Sequence, residues 1–131
     1  MADYVTYTDE DKAIVRRGIS AIREVLMGAD AGRKRRIMFC LEYFMDPYYG
    51  EDISQIHDEL VELLEEVIVS PNEDIVIEDA LDLLISYEWP PFPILEKNID
   101  VIPPLHKPSV LYLLNLKDQF MKGISYDLRN T

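Results

Sequence analysis

From Ile37 to Glu96 the chain has no lysine and no arginine. The same span carries sixteen acidic side chains: Glu42, Asp46 and fourteen more between Glu51 and Glu96. Binding to nucleic acid through phosphates needs a basic footprint, and so does binding to an anionic membrane surface. Neither partner is therefore expected. Cys40 is the only cysteine. No disulfide can close within the chain, and a reducing cytosol is the expected compartment. No apolar run approaches the roughly 20 residues that span a bilayer. The opening Met1-Ala2-Asp3-Tyr4 lacks the basic-then-apolar order of a signal peptide. A glycine-rich phosphate loop, a nucleophile elbow and a His-Glu-x-x-His pair are all missing. No loop has the alternating oxygen ligands and central glycine of an EF-hand, and His57 and His106 sit in no metal-ligand spacing. No cofactor and no metal is expected, and no enzymatic activity.

What is present is a dense apolar pattern at helical spacing beneath those acids. Apolar residues make up 48% of the 131, too many for a solvated acidic tail. The expectation is one folded domain, residues 1–131, burying roughly two thirds of its unfolded surface. The net charge of -12 is unevenly placed. Residues 1–46 balance eight basic against eight acidic side chains, whereas residues 47–131 hold five against seventeen. Acidic fields steer cationic surfaces into contact, so a basic protein partner is favoured.

Six helices are legible. Thr8 caps the first, with Asp9, Glu10 and Asp11 in its first turn, where the helix dipole favours negative charge. Val15, Ile19, Ile22 and Leu26 form its apolar face and Gly28 its stop. Gly18 lies inside, where close packing of a neighbouring helix is expected. Asp30 caps a second helix, Ala31 to Met45, with Ile37, Cys40, Leu41, Phe44 and Met45 buried; Pro47 to Gly50 ends it. A third opens at Asp52, with Ile53, Ile56, Leu60, Leu63, Leu64 and Val67 inside and Asp58, Glu59, Glu62, Glu65 and Glu66 outside. Ser70-Pro71-Asn72 breaks the chain. A fourth, Glu73 to Tyr87, buries Ile77, Ala80, Leu81, Leu84 and Ile85, and steps Asp74, Glu78 and Asp82 along its outer side. Trp89-Pro90-Pro91-Phe92-Pro93 cannot be helix interior, and Trp89 and Phe92 read as a hydrophobic plug. A short fifth helix, Ile94 to Ile102, precedes a sixth from Pro108 through Leu114 towards Phe120, with Gly123 as its stop and a tail over 123–131.

The odd helices begin near Asp9, Ile53 and Pro93, which are 44 and 40 residues apart. Helix pairs at a period of about 40–47 residues mark HEAT and armadillo arrays. The expected architecture is all-α: three antiparallel pairs, about 9–46, 52–87 and 93–122, stacked as a short solenoid. An irregular six-helix bundle is the alternative. In a stack of pairs the second helices commonly line the concave side. That face would carry Arg35, Phe39, Glu42, Tyr43 and Asp46, then Asp74, Glu78 and Asp82, then Tyr112 and Asn115. We take Glu42, Tyr43, Asp46, Asp74, Glu78, Asp82 and Tyr112 as candidate partner-binding residues.

Glu78-Asp79-Ala80-Leu81-Asp82-Leu83-Leu84, Trp89-Pro90-Pro91-Phe92-Pro93-Ile94-Leu95 and Val110-Leu111-Tyr112-Leu113-Leu114-Asn115 give the chain a family likeness. It resembles the small HEAT-like immunity proteins that bacteria make against their own polymorphic or contact-dependent toxins. The resemblance implies a cytosolic, non-enzymatic inhibitor that binds a toxin domain, and it assigns no contact residues. A general helical-repeat scaffold or adaptor is the alternative function.

Other features have plain readings beside sharper ones. The acids can be a solvated face that keeps the protein soluble. Yet no lysine or arginine stands at i+4 along the third and fourth helices, and such like-charge spacing costs a few tenths of a kcal/mol per pair. A cationic partner would relieve it. Glu78 and Asp82 would be the pair for acid/base work if they lined a groove. Arg33-Lys34-Arg35-Arg36 is expected to pair with Asp9, Asp11 or the third helix rather than with phosphate. His57 is expected on a helix surface, His106 in a turn, and Cys40 in the core. Tyr48 and Tyr49 are alternative binding anchors.

Overall fold

Thr8 and Asp11 start the fold with a reciprocal cap. In the computed structural model, which describes residues 6–46 and 51–116, the Asp11 amide donates to Thr8 Oγ1 at 3.2 Å. The Thr8 amide donates to Asp11 Oδ2 at 2.9 Å. Two amides without intrahelical acceptors are thereby satisfied. Helix α1 (Asp9–Arg16) follows, but it does not run on to Met27. Gly18 takes φ +104° and ψ -171°, and a separate helix α2 (Ile19–Leu26) begins after it. A Cβ added at Gly18 would meet nothing within 4 Å. Close packing, the reason expected for this glycine, is therefore not its role. It supplies a backbone conformation that only glycine adopts readily.

Asp30 caps α3 (Ala31–Met45), its carboxylate accepting from the Arg33 amide at 3.1 Å. A 3-10 turn (Ser54–Ile56) leads into α4 (His57–Val69), and α5 (Asp74–Tyr87) comes next. The short α6 (Pro93–Lys97) is followed by a second 3-10 turn (Ile99–Val101) and by α7 (Lys107–Leu114). Proline stands in the first turn of α6 and of α7, where a missing N–H costs nothing. Among the described residues the structure is all-helical, with no strand. No described helix is long and apolar enough to cross a membrane.

The core runs through every helix, and side chains such as Ile22, Ile37, Leu41, Leu64, Ile77 and Leu84 are almost wholly shielded from solvent. Full burial of each contributes about 1.5–3 kcal/mol. Helix α3 packs on α1, α2 and α5; α4 packs on α2, α5 and α6; α7 packs on α5 and α6. Inside this core, Lys34 is 5% exposed and donates to Asn72 Oδ1. Asn72 in turn donates to the Val67 carbonyl at 2.9 Å, so one cation ties α3 to the turn between α4 and α5.

The expected plug at Trp89 and Phe92 divides. Phe92 is fully buried, whereas Trp89 is 54% exposed. The supposed outer face of α4 also needs correcting, because Glu65 is 1% exposed. Its Oε1 accepts from the amides of Ile94 and Leu95 at 3.1 and 3.3 Å, which caps α6 from a different helix. His106 directly precedes α7 as expected, but it is 2% exposed. The break at Pro47 to Gly50, the anchors Tyr48 and Tyr49, the extension to Phe120 and Gly123, and the tail all lie outside the described residues.

Candidate functional site

The outward sides of α3 and α5 face each other across a small open cleft of about 120 Å³. Arg35, Phe39 and Glu42 line it from α3, and Asp79, Asp82 and Tyr87 from α5. Their spacings, i, i+4, i+7 on one helix and i, i+3, i+8 on the other, keep each set on one side of its helix. Arg35 Nε donates to Asp79 Oδ2 at 2.8 Å, with both side chains about three quarters buried. Tyr87 Oη donates to Glu42 Oε1 at 3.2 Å. Asp82 stands at the exposed margin. Its carboxyl is held above the usual aspartate range, first by partial burial and then by repulsion from Asp79, Glu78 and Glu42. The cleft is thus a set of like charges containing one committed guanidinium. A donor or a cation brought to it would be stabilised.

Two further clefts continue this surface. Tyr43 and Asp46 line one of them with Tyr7, Phe39 and Glu42. Tyr43 is half-buried, its ring centroid 6.1 Å from Tyr7 and 5.2 Å, edge-on, from Phe44. The Lys12 ammonium sits 4.6 Å above it. Tyr43 therefore builds the wall of the cleft rather than projecting from it. Tyr112, half-exposed, lines the other cleft with Tyr87, Glu88 and Trp89. Asp74 and Glu78 lie outside these three clefts. Asp74 is at the start of α5, where His106 Nε2 donates to its carboxylate at 2.9 Å. Glu78 is exposed on the turn between. So Glu42 and Asp82 share a cleft, Glu42, Tyr43 and Asp46 share its neighbour, and Tyr112 belongs to a third.

The acids of α4 have other uses. Glu66 takes Arg23 of α2 at 2.8 Å, and Glu65 is the buried cap described above. Burial raises the Glu65 carboxyl above the ordinary value even though two amides favour its charged form. The basic run of α3 is used as expected in one place and not in another. Arg36 lies 3.9 Å from Asp11, but Arg35 reaches α5 rather than α4 or α1. Trp89 and the Arg35–Asp79 pair are parts of this surface that helical spacing does not reveal. The pair joins residues 44 apart in sequence.

Cys40 is fully buried and burial pushes its thiol up to about 12, so it stays a protonated core group. Among the described residues no group of three or more His, Cys, Asp or Glu side chains is placed to share a metal ion. No family model matches the chain, and no curated protein or solved structure matches it either.

Proposed function

We propose that this chain is a cytosolic immunity protein that binds and neutralises a cognate, basic toxin domain through the surface shared by α3, α5 and α7. The reading takes the fold as a short HEAT-like solenoid of three antiparallel helix pairs. Its support is the order of neighbours: α3 packs on α5 and α5 on α7, while α2 packs on α4 and α4 on α6. Each pair needs its neighbours to bury its apolar face.

One observation carries the functional reading. Glu42, Glu78, Asp79 and Asp82 stand on one surface, where partial burial and then their mutual repulsion raise the Asp82 carboxyl, and among the described residues Arg35 is the one cation paired with any of them. Keeping like charges together costs stability unless a cation from outside relieves them. Exposed Phe39, Trp89 and Tyr112 on the same side supply the flat apolar area that interfaces concentrate energy on. The reading is tested by co-expressing the chain with the product of the adjacent gene. A protective, purifiable complex supports it. An adjacent product that neither binds nor harms the cell turns the reading towards a general scaffold.

A further inference from the structure

His57 joins the start of α4 to the end of α5. Its Nδ1 lies 3.0 Å from Asp58 Oδ1 and its Nε2 lies 2.7 Å from Glu88 Oε1. Both neighbours are carboxylates, which when ionised only accept hydrogen bonds. A neutral imidazole has one N–H, so it serves one of them and turns a lone pair on the other. Only the imidazolium donates to both. The two acceptors are not equivalent. The Asp58 side chain is 98% exposed and water can replace His57 there, whereas the Glu88 side chain is 11% exposed.

The remaining charges near the ring reinforce this arrangement. Glu51 and Asp52 line the same cleft. Glu51 is already paired with Arg16 of α1, and Asp52 accepts the Ser54 amide at 2.8 Å. Helix α3 contributes only Phe44 and Met45 there. The hydrogen bonds to Asp58 and Glu88 hold the His57 ring above the ordinary imidazole value.

Glu88 is placed to pass a change onward. It ends α5, its amide donating to the Leu84 carbonyl at 3.0 Å, and its extended backbone leads the chain out of the helix into Trp89. Its residue borders both the His57 cleft and the cleft formed by Tyr87, Trp89 and Tyr112. We propose that His57 and Glu88 form a pH-sensitive clasp that fixes the Trp89 end of the α5 surface, closed with the imidazolium and loosened when the ring loses its proton. Loss of the proton removes the positive charge beside the Glu88 carboxylate and leaves it one neutral Nε2–H at most, a weaker bond than the charge-assisted one. The carboxylate then moves towards water, and the chain at Trp89 moves with it. The clasp does not depend on who the partner is.

Trp89 is the only tryptophan, so its emission reports this end of the surface alone. Emission from the full chain and the ring C–H NMR signals of His57 and His106 are followed from about pH 5.5 to 9. The emission is expected to shift with the titration of the His57 ring, which lies above the ordinary imidazole value. The shift should be lost in His57→Gln and in Glu88→Gln. Two variants are used so that a folding defect in one, seen by circular dichroism, leaves the other decisive. Flat emission while His57 titrates, or a shift that survives in a folded variant, overturns the clasp.

Discussion

Helices α4 and α5 look alike as strings. Each is rich in leucine and acids, and neither contains a lysine or arginine. Folded, they use their acids differently. On α4, Glu65 is a buried cap, Glu66 holds Arg23 and Asp58 meets His57, which leaves Glu59 and Glu62 facing solvent. On α5, Asp74 and Asp79 hold His106 and Arg35, while no cation among the described residues pairs with Glu78 or Asp82. Only on α5 does a leftover acid, Asp82, line a cleft with the carboxylate of another helix, Glu42 of α3. The number of charges on a helix therefore says little about which of them are committed. Partners supplied by distant parts of the chain decide that.

The largest expected effect breaks the structural side of the comparison. Glu65→Ala leaves the Ile94 and Leu95 amides without their acceptor in a dry site. It should cost about 2–4 kcal/mol in urea denaturation, from two unsatisfied donors. Glu65→Gln keeps the acceptor oxygen and should change stability little at low pH. A similar loss in both variants would mean that the charge, not the cap, matters.

Next in size is Gly18→Ala. With open space around the added methyl, its cost is backbone strain alone, about 1–3 kcal/mol. A neutral result would show that α1 and α2 can join as one helix.

Much of this was legible from residues alone. The caps at Thr8 and Asp30 identify themselves, because a short oxygen-bearing side chain stands just ahead of an apolar periodicity. Ile37, Cys40, Leu41 and Phe44 of α3 and Ile77, Ala80, Leu81 and Leu84 of α5 follow from spacing, whereas Met38, Val76 and Leu83 are buried without having been expected and Met45 and Ile85 are only partly buried. Glu65 was not legible as a buried group. Its helix packs on α2, α5 and α6 together, and one helix's periodicity shows only one covered side. The need for its cap was visible, since Phe92 precedes α6 and has no side-chain acceptor. The supplier lies about 30 residues upstream, beyond any local pattern. The Gly18 break was hidden for a related reason: the apolar spacing from Val15 to Leu26 continues smoothly across it.

A smaller effect concerns pH. The folded-state pKa of Glu65 is raised above its ordinary value of 4.5. Its contribution to stability is therefore fully present below that value and is lost as pH rises through the folded pKa. Wild type should lose stability relative to Glu65→Gln over that window, and the gap should be smallest in acid. A gap that widens as pH falls would contradict the assigned cause. His57 adds a loss of the same sign at higher pH, because its pKa is also raised.

The smallest stability effects belong to the solvent-facing acids. Glu59→Lys with Glu62→Lys on α4, and Glu78→Lys with Asp82→Lys on α5, should each leave melting within about 0.5 kcal/mol of wild type. Glu66 is unsuited as a control because it holds Arg23.

Those two double variants also frame the most direct test, which is association with the purified product of the adjacent gene, followed in time across ionic strength. The account predicts that the wild-type on-rate falls at least about tenfold from low to high salt. The α5 double variant should lose at least about a hundredfold in affinity, as expected for two interface groups worth on the order of 2 kcal/mol each. The α4 double variant should track wild type at every salt concentration. An on-rate indifferent to salt, or binding lost in the α4 variant and kept in the α5 variant, would contradict the claim that the α3–α5 surface receives a basic partner.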